Sequence, residues 1–144
     1  MKYLTIIVAL FFITSCCNHE PKQEEKEALV HESEGNAVTT DNGEKWKANF
    51  ATTKGIRNMT GLVNEVKKDY KLSNYRELGA NLQKEFQHIF QRCDMTGEAH
   101  NQLHNYLHPM TGWFKELKEG DLNECKTATK ELEDHLKKYD TYFK

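Results

Sequence analysis

From Glu44 onward the apolar positions recur at steps of mostly three and four, the period of a helix that buries one face. The first run, about Glu44 to Tyr70, places Trp46, Phe50, Ile56, Met59, Val63, Val66 and Tyr70 on one stripe. "KLSN" interrupts it, with Ser73 suited to cap the next helix. The second run extends to about Arg92 and aligns Tyr75, Leu78, Leu82, Phe86, Ile89 and Cys93. After "DMTG", where Asp94 or Thr96 suits a cap, the third run carries Ala99, Leu103, Tyr106, Met110, Trp113 and Leu117 and stops at Gly120. Asp121 and Glu124 have the spacing of a capping box, and the fourth run aligns Leu122, Cys125, Ala128, Leu132, Leu136, Tyr139 and Phe143. The pattern predicts an all-α fold: four amphipathic helices of about 20–25 residues in an antiparallel up-down-up-down bundle over residues 46–144. Short connections impose that order, because a few residues cannot recross the bundle.

The first 43 residues follow other rules. "MKYLTIIVALFFITS", residues 1–15, has an early lysine, an apolar run from Tyr3 to Ile13 and a small polar end. The run is shorter than the roughly 20 residues a membrane-spanning helix needs, but it suits a secretory signal. The junction "ITSC" resembles a bacterial lipobox, and that resemblance implies cleavage before Cys16 and a diacylglycerol on its sulfur. An ordinary cleaved signal followed by a free cysteine is the alternative. Either reading exports the chain, and the first anchors it to a membrane of the cell envelope.

Charge divides the remainder. Residues 17–45 carry eight acidic and three basic side chains and few apolar ones, so residues 16–45 are expected to be a lipidated cysteine followed by a disordered acidic tether. Residues 46–144 carry sixteen basic and fourteen acidic side chains, a near balance with no basic stripe, which argues against nucleic acid as a partner. Of the four cysteines only Cys93 and Cys125 fall in the bundle. The first closes one helix and the second opens another two runs later. About 33 Å of helix would separate them, too far for an intramolecular disulfide.

The chemistry concentrates in "RCDMTGEAHNQLHNYLHPM", residues 92–110. Thiol, thioether and imidazole form a soft donor set suited to monovalent copper, and thiol with imidazole also suits zinc. At about 100° per residue, His100 lies roughly 70° from the third helix's apolar centre, His104 about 110° and His108 about 150°. His100 and His104, one turn apart, have the spacing that lets two imidazoles share an ion. The expected metal ligands are Cys93, Met95, His100 and His104, with His108 too far round. The competing reading is helix packing with surface histidines. Pro109 should kink the third helix by removing the amide that would pair with Asn105. His88 and His135 flank other stripes, and Trp46, Tyr139, Tyr142 and Phe143 suit core caps.

The architecture, and above all "ELKEGDLNECKTATKELEDHLKKYDTYFK", resembles the small periplasmic four-helix cytochromes of b and c type. Those families hold haem near the C-terminal end of the bundle. The resemblance implies a scaffold without the haem ligands: C-x-x-C-H is absent, Asp140 stands where the b-type histidine would be, His135 comes more than a turn early, and Met59 lies in mid-helix. The chain is also similar to small lipoproteins of Bacteroidetes-like bacteria, which implies no activity. No nucleophile–base spacing, phosphate loop or H-E-x-x-H points to an enzyme. Three expectations result: a lipid-anchored envelope protein that stores, buffers or hands over copper or zinc; a tethered module that binds an envelope protein without metal; and a haem-binding bundle, disfavoured because its axial pair is missing.

Overall fold

The computed structural model describes residues 37–67 and 69–144, and the expected signal peptide, Cys16 and the tether up to residue 36 lie outside the described residues. Asn49 opens the first helix, α1 (Phe50–Val66), by accepting the backbone N–H of Thr52 on its side chain. Beyond it come the helices α2 (Leu72–Arg92), α3 (Gly97–Leu107), α4 (Met110–Glu119), α5 (Leu122–Leu136) and the single turn α6 (Tyr139–Tyr142). The fold is all-helical, with no strand among the described residues and four long bodies packed together. No helix among the described residues is long and apolar enough to cross a membrane.

The apolar stripes meet in one core. Ile56, Met59 and Val63 of α1, Tyr75, Leu82 and Ile89 of α2, Leu103 and Tyr106 of α3, and Leu117, Ala128 and Leu132 from the last two long helices are all inaccessible or nearly so. Two glycines set close crossings. A Cβ on Gly55 would fall 2.5 Å from Cγ1 of Ile89, and one on Gly79 would fall 3.1 Å from Cβ of Leu117. The capping box of α5 forms: Asp121 accepts from the backbone of Asn123 and Glu124, and Glu124 accepts from the backbone of Asp121. Arg76, near the start of α2, donates to the carbonyls of Leu117 (2.8 Å) and Gly120 (2.6 Å) at the end of α4. Those carbonyls have no partners within their own helix, and the cation also opposes the negative end of the helix dipole.

Several boundaries differ from the sequence pattern, for long-range reasons. Residues 44–49 are not helical. Trp46 donates its backbone N–H to Tyr142, and it accepts from Lys144, whose carbonyl in turn takes the N–H of Ala48. This clasp joins the start of the bundle to its last residues. Phe50, placed on the buried stripe by spacing, is 82% exposed because the helix begins only there; Tyr70 and Leu122, in or beside connections, are exposed too. α2 starts at Leu72, ahead of Ser73, and its N-cap Lys71 makes no side-chain capping bond.

Residues 37–45, expected to be the end of a disordered tether, lie against the bundle. Thr39 donates its backbone N–H to the side chain of Gln102, and its carbonyl accepts from the Trp46 indole at 2.6 Å. Asn42 and Gly43 both take positive φ in a tight turn, and Asp41 and Glu44 exchange backbone hydrogen bonds across it. Asn-Gly is the dipeptide that adopts such a turn at least cost.

The third predicted segment is two helices. α3 ends at Leu107, and Pro109 stands between it and α4. At this break the carbonyl of Tyr106 lies 2.8 Å from Nε2 of His135 on α5, while the Tyr106 hydroxyl donates to the carbonyl of His135. The two rings stack with centroids 4.4 Å apart. His135 is therefore a joint between α3 and α5, formed where Pro109 interrupts the helix.

Candidate metal centre

The connection between α2 and α3 is held from outside. The side-chain amide of Asn49 donates to the carbonyl of Arg92 (2.8 Å) and to Asp94 (2.6 Å). Its oxygen meanwhile caps α1. One residue thus starts a helix and pins the corner where Cys93 sits. Gly97 begins α3 at φ 64°, a left-handed conformation that a side chain disfavours. Asn49→Ala should lower stability by about 1–2 kcal/mol through the lost cap, and should loosen this corner. Thermal melting, with amide exchange of residues 92–97, checks both. Unchanged exchange there would refute the pinning role.

Three side chains meet at the corner. Cys93 Sγ lies 3.6 Å from Nδ1 of His100, and Nε2 of His100 lies 3.0 Å from Nε2 of His104. The imidazole centroids are 4.4 Å apart with planes at 60°. His104 is held in turn by the ring of Phe90, edge-on at 5.1 Å, and Phe90 leans on Phe86, which packs against buried Phe114. A line of aromatic rings therefore runs from the core to the pair. Burial, and then the neighbouring His100, hold the pKa of His104 below the usual histidine value, which favours the neutral ring that binds metal.

The expected four-ligand set is not assembled. Cys93 and His104 engage opposite nitrogens of His100, so this ring cannot offer both neighbours one ion without turning. Met95 is half-buried against the hydrophobic core and makes no hydrogen bond to the cluster. His108 is exposed at the C-terminal end of α3, with its backbone bonded to His104 and Thr111. Among the described residues no three His, Cys, Asp or Glu side chains are gathered in position to hold one ion. What the fold brings together is a pair of imidazoles, with a thiol behind one of them.

The chain matches no family model, no curated protein and no solved structure. The resemblance to four-helix cytochromes thus rests on the architecture and the quoted segment, and these comparisons neither support nor refute it. The side chains relevant to haem have other partners: Asp140 pairs with Arg57 at 2.6 Å, Nε2 of His135 bonds the Tyr106 carbonyl, and Met59 is wholly buried in the core. Cys93 and Cys125 are free thiols. Cys125 is buried beneath Arg76, and its sulfur lies 3.6 Å from the carbonyl of Glu116. Burial, ahead of the opposing pull of Arg76, pushes its pKa up, which keeps it an unreactive thiol.

His135 gives the fold a pH dependence. Burial, the largest influence, lowers its pKa despite the opposing bond from the Tyr106 backbone. The unfolded chain therefore takes up this proton near pH 6.5, before the folded chain does. By linkage, the contribution to stability is full above that pH and is lost as pH falls below it. Melting temperature should fall between pH 7.5 and 5.5, above the range of the carboxylates, and His135→Gln should flatten the slope. An equal slope in the variant would refute the assignment.

Proposed function

We propose that this chain is a non-enzymatic, lipid-anchored protein of the bacterial cell envelope that binds one copper or zinc ion between His100 and His104. The observation that carries the reading is the 3.0 Å approach of the two Nε2 atoms. Two imidazoles on a tetrahedral ion at 2.0–2.1 Å place their nitrogens about 3.3 Å apart, so a small opening of the pair admits the ion. In the neutral pair one N–H lies between the two nitrogens, and an ion would replace this hydrogen bond once the donor ring carries its proton on Nδ1 instead. Cys93 joins as a third donor if His100 turns, or stays behind the ring and orients it through Nδ1. Met95 is the remaining candidate at the same corner. A site of so few donors at the surface suits buffering or handover better than permanent structural binding.

The scaffold we infer is the up-down-up-down bundle. Three contacts support it: Asn49 at the start of α1 with Arg92 at the end of α2, Arg76 near the start of α2 with Gly120 after α4, and Arg57 midway along α1 with Asp140 in α6, beyond the end of α5. Lipidation rests on the "ITSC" junction, and Cys16→Ala should release the protein from membranes on fractionation; continued membrane association would refute the anchor. A second reading, an envelope module for a protein partner, is favoured by Phe50, which projects beside a groove of about 310 Å³ between α1 and α2 that His88 and Arg92 also line. Metal analysis of untagged protein separates the two. Copper or zinc near one equivalent supports the first, and a metal-free protein that takes up neither ion overturns it.

A further inference from the structure

The outward face of the α1–α2 pair carries opposite charges at its two ends. Gly55 of α1 lies against Ile89 of α2, and Asn58 donates to Glu85 at 2.9 Å, so residues early in α1 stand beside residues late in α2. At that end Lys54 and Arg92 line the groove of about 310 Å³ beside Phe50. At the other end Glu65 and Glu77 line a second groove, of about 320 Å³, with Leu62, Val66 and Leu78 as its apolar wall. Gly61, between the two, has open space around its Cβ position. Lys54, Arg92 and Glu77 are exposed, and their side chains make no ion pair among the described residues. Phe50, the most exposed large apolar side chain among the described residues, stands at the basic end.

We propose that this face pairs with the same face of a second copy of the chain, about a two-fold axis that turns the helices end for end. Such an axis lays α1 over α1 and α2 over α2 in reversed direction, so each basic end meets an acidic end. An axis along the helices would instead set like charges against each other. The spacing suits the first. The midpoint of Lys54 and Glu65 falls at residues 59–60 of α1, and that of Arg92 and Glu77 at residues 84–85 of α2. The Asn58–Glu85 bond holds these midpoints within about 3 Å of one level, so one axis serves both helices. It brings Arg92 opposite Glu77 of the second copy and Lys54 opposite its Glu65, each pair twice. It also carries Phe50 towards the second copy's groove at Val66 and Leu78. A face about 25 Å long and about 20 Å wide buries roughly 1,000 Å² over two copies, the lower end for a specific interface. The dimer is therefore weak, salt-sensitive and specified by charge. It names an occupant for the groove beside Phe50 and does not depend on a metal at the imidazole pair.

The test is sedimentation velocity of the full chain, with thiols reduced, from micromolar to millimolar concentration at low salt. The parent should form a dimer. Arg92→Glu and Glu77→Arg, both at exposed positions, should each weaken it at least tenfold, because each sets like charges opposite one another twice. The double variant, Arg92→Glu with Glu77→Arg, restores both pairs with their signs exchanged and should return to within threefold of the parent. Lys54→Glu and Glu65→Lys repeat the cycle on α1, and circular dichroism with thermal melting checks that each variant is folded. The proposal is overturned by a chain that stays monomeric at millimolar concentration, which would leave the face to a different protein. It is equally overturned by folded single variants that associate as the parent does, or by a folded double variant that does not recover.

Discussion

Leu132→Asp should unfold the bundle. Leu132 is fully buried on α5, within the core cluster that all the long helices share. A carboxylate there has no cation to pair with inside the core, and an unpaired buried charge costs several kcal/mol. The total stability of a small domain is about 5–15 kcal/mol, so one substitution removes most of it. Leu132→Ala provides the comparison. It should cost about 2–5 kcal/mol through lost contact and residual cavity and leave a folded, less stable protein. Helical circular dichroism with thermal melting reads both. A cooperative transition in Leu132→Asp close to that of the parent would mean that this face of α5 is not the core.

The largest functional effect is expected at the imidazole pair. His100→Ala and His104→Ala each remove one of two nitrogens that face each other at 3.0 Å. Each variant should lose at least a hundredfold in affinity for copper(I), measured against a competing chelator. His108→Ala should stay within about twofold, because among the described residues the bonds of His108 are made by its backbone, to His104 and Thr111, and not by its ring. Cys93→Ser is the informative intermediate. Loss of an orienting partner costs roughly 10–100-fold, whereas loss of a direct thiolate ligand should hit copper(I) harder than zinc, since a hydroxyl is the harder donor. Binding should also weaken as pH falls through the imidazole range, where protons compete for the same nitrogens. Equal losses at His100 and His108 would return this stretch to helix packing with histidines on its flank.

Sequence periodicity and the structure agree where the chemistry is local. Ile56, Met59 and Val63, or Leu78, Leu82 and Ile89, fall on one side because a helix repeats every 3.6 residues, and the Asp121–Glu124 box needs only a three-residue spacing. The i, i+4 separation of His100 and His104 likewise suffices to bring two rings together. Local pattern fails where distant chain decides. Residues 44–49 carry Trp46 at a helical step, but their backbone is claimed by residues 142–144, which no spacing within the first segment can signal. Asn49 therefore reads as a mid-helix residue, although an Asn ahead of a helix is itself the signature of a cap. Phe50 is exposed for the same reason. The break at Pro109 was legible as a kink, but not the docking of His135 into it, which requires α5 to lie alongside. Side-chain direction was least legible. That Cys93 and His104 would meet opposite nitrogens of His100 depends on rotamers.

The central claim, an ion between His100 and His104, is most directly tested by tracking imidazole nitrogens in ¹⁵N-labelled protein by long-range ¹H–¹⁵N NMR during titration with zinc, then copper(I). The account predicts that the Nε2 signals of His100 and His104 move together to the shifts of metal-bound nitrogen and saturate at one equivalent, while those of His88, His108 and His135 stay in place. Movement of His108 or of the N-terminal His19 and His31 with the pair unchanged, or no saturable shift at all, would contradict it.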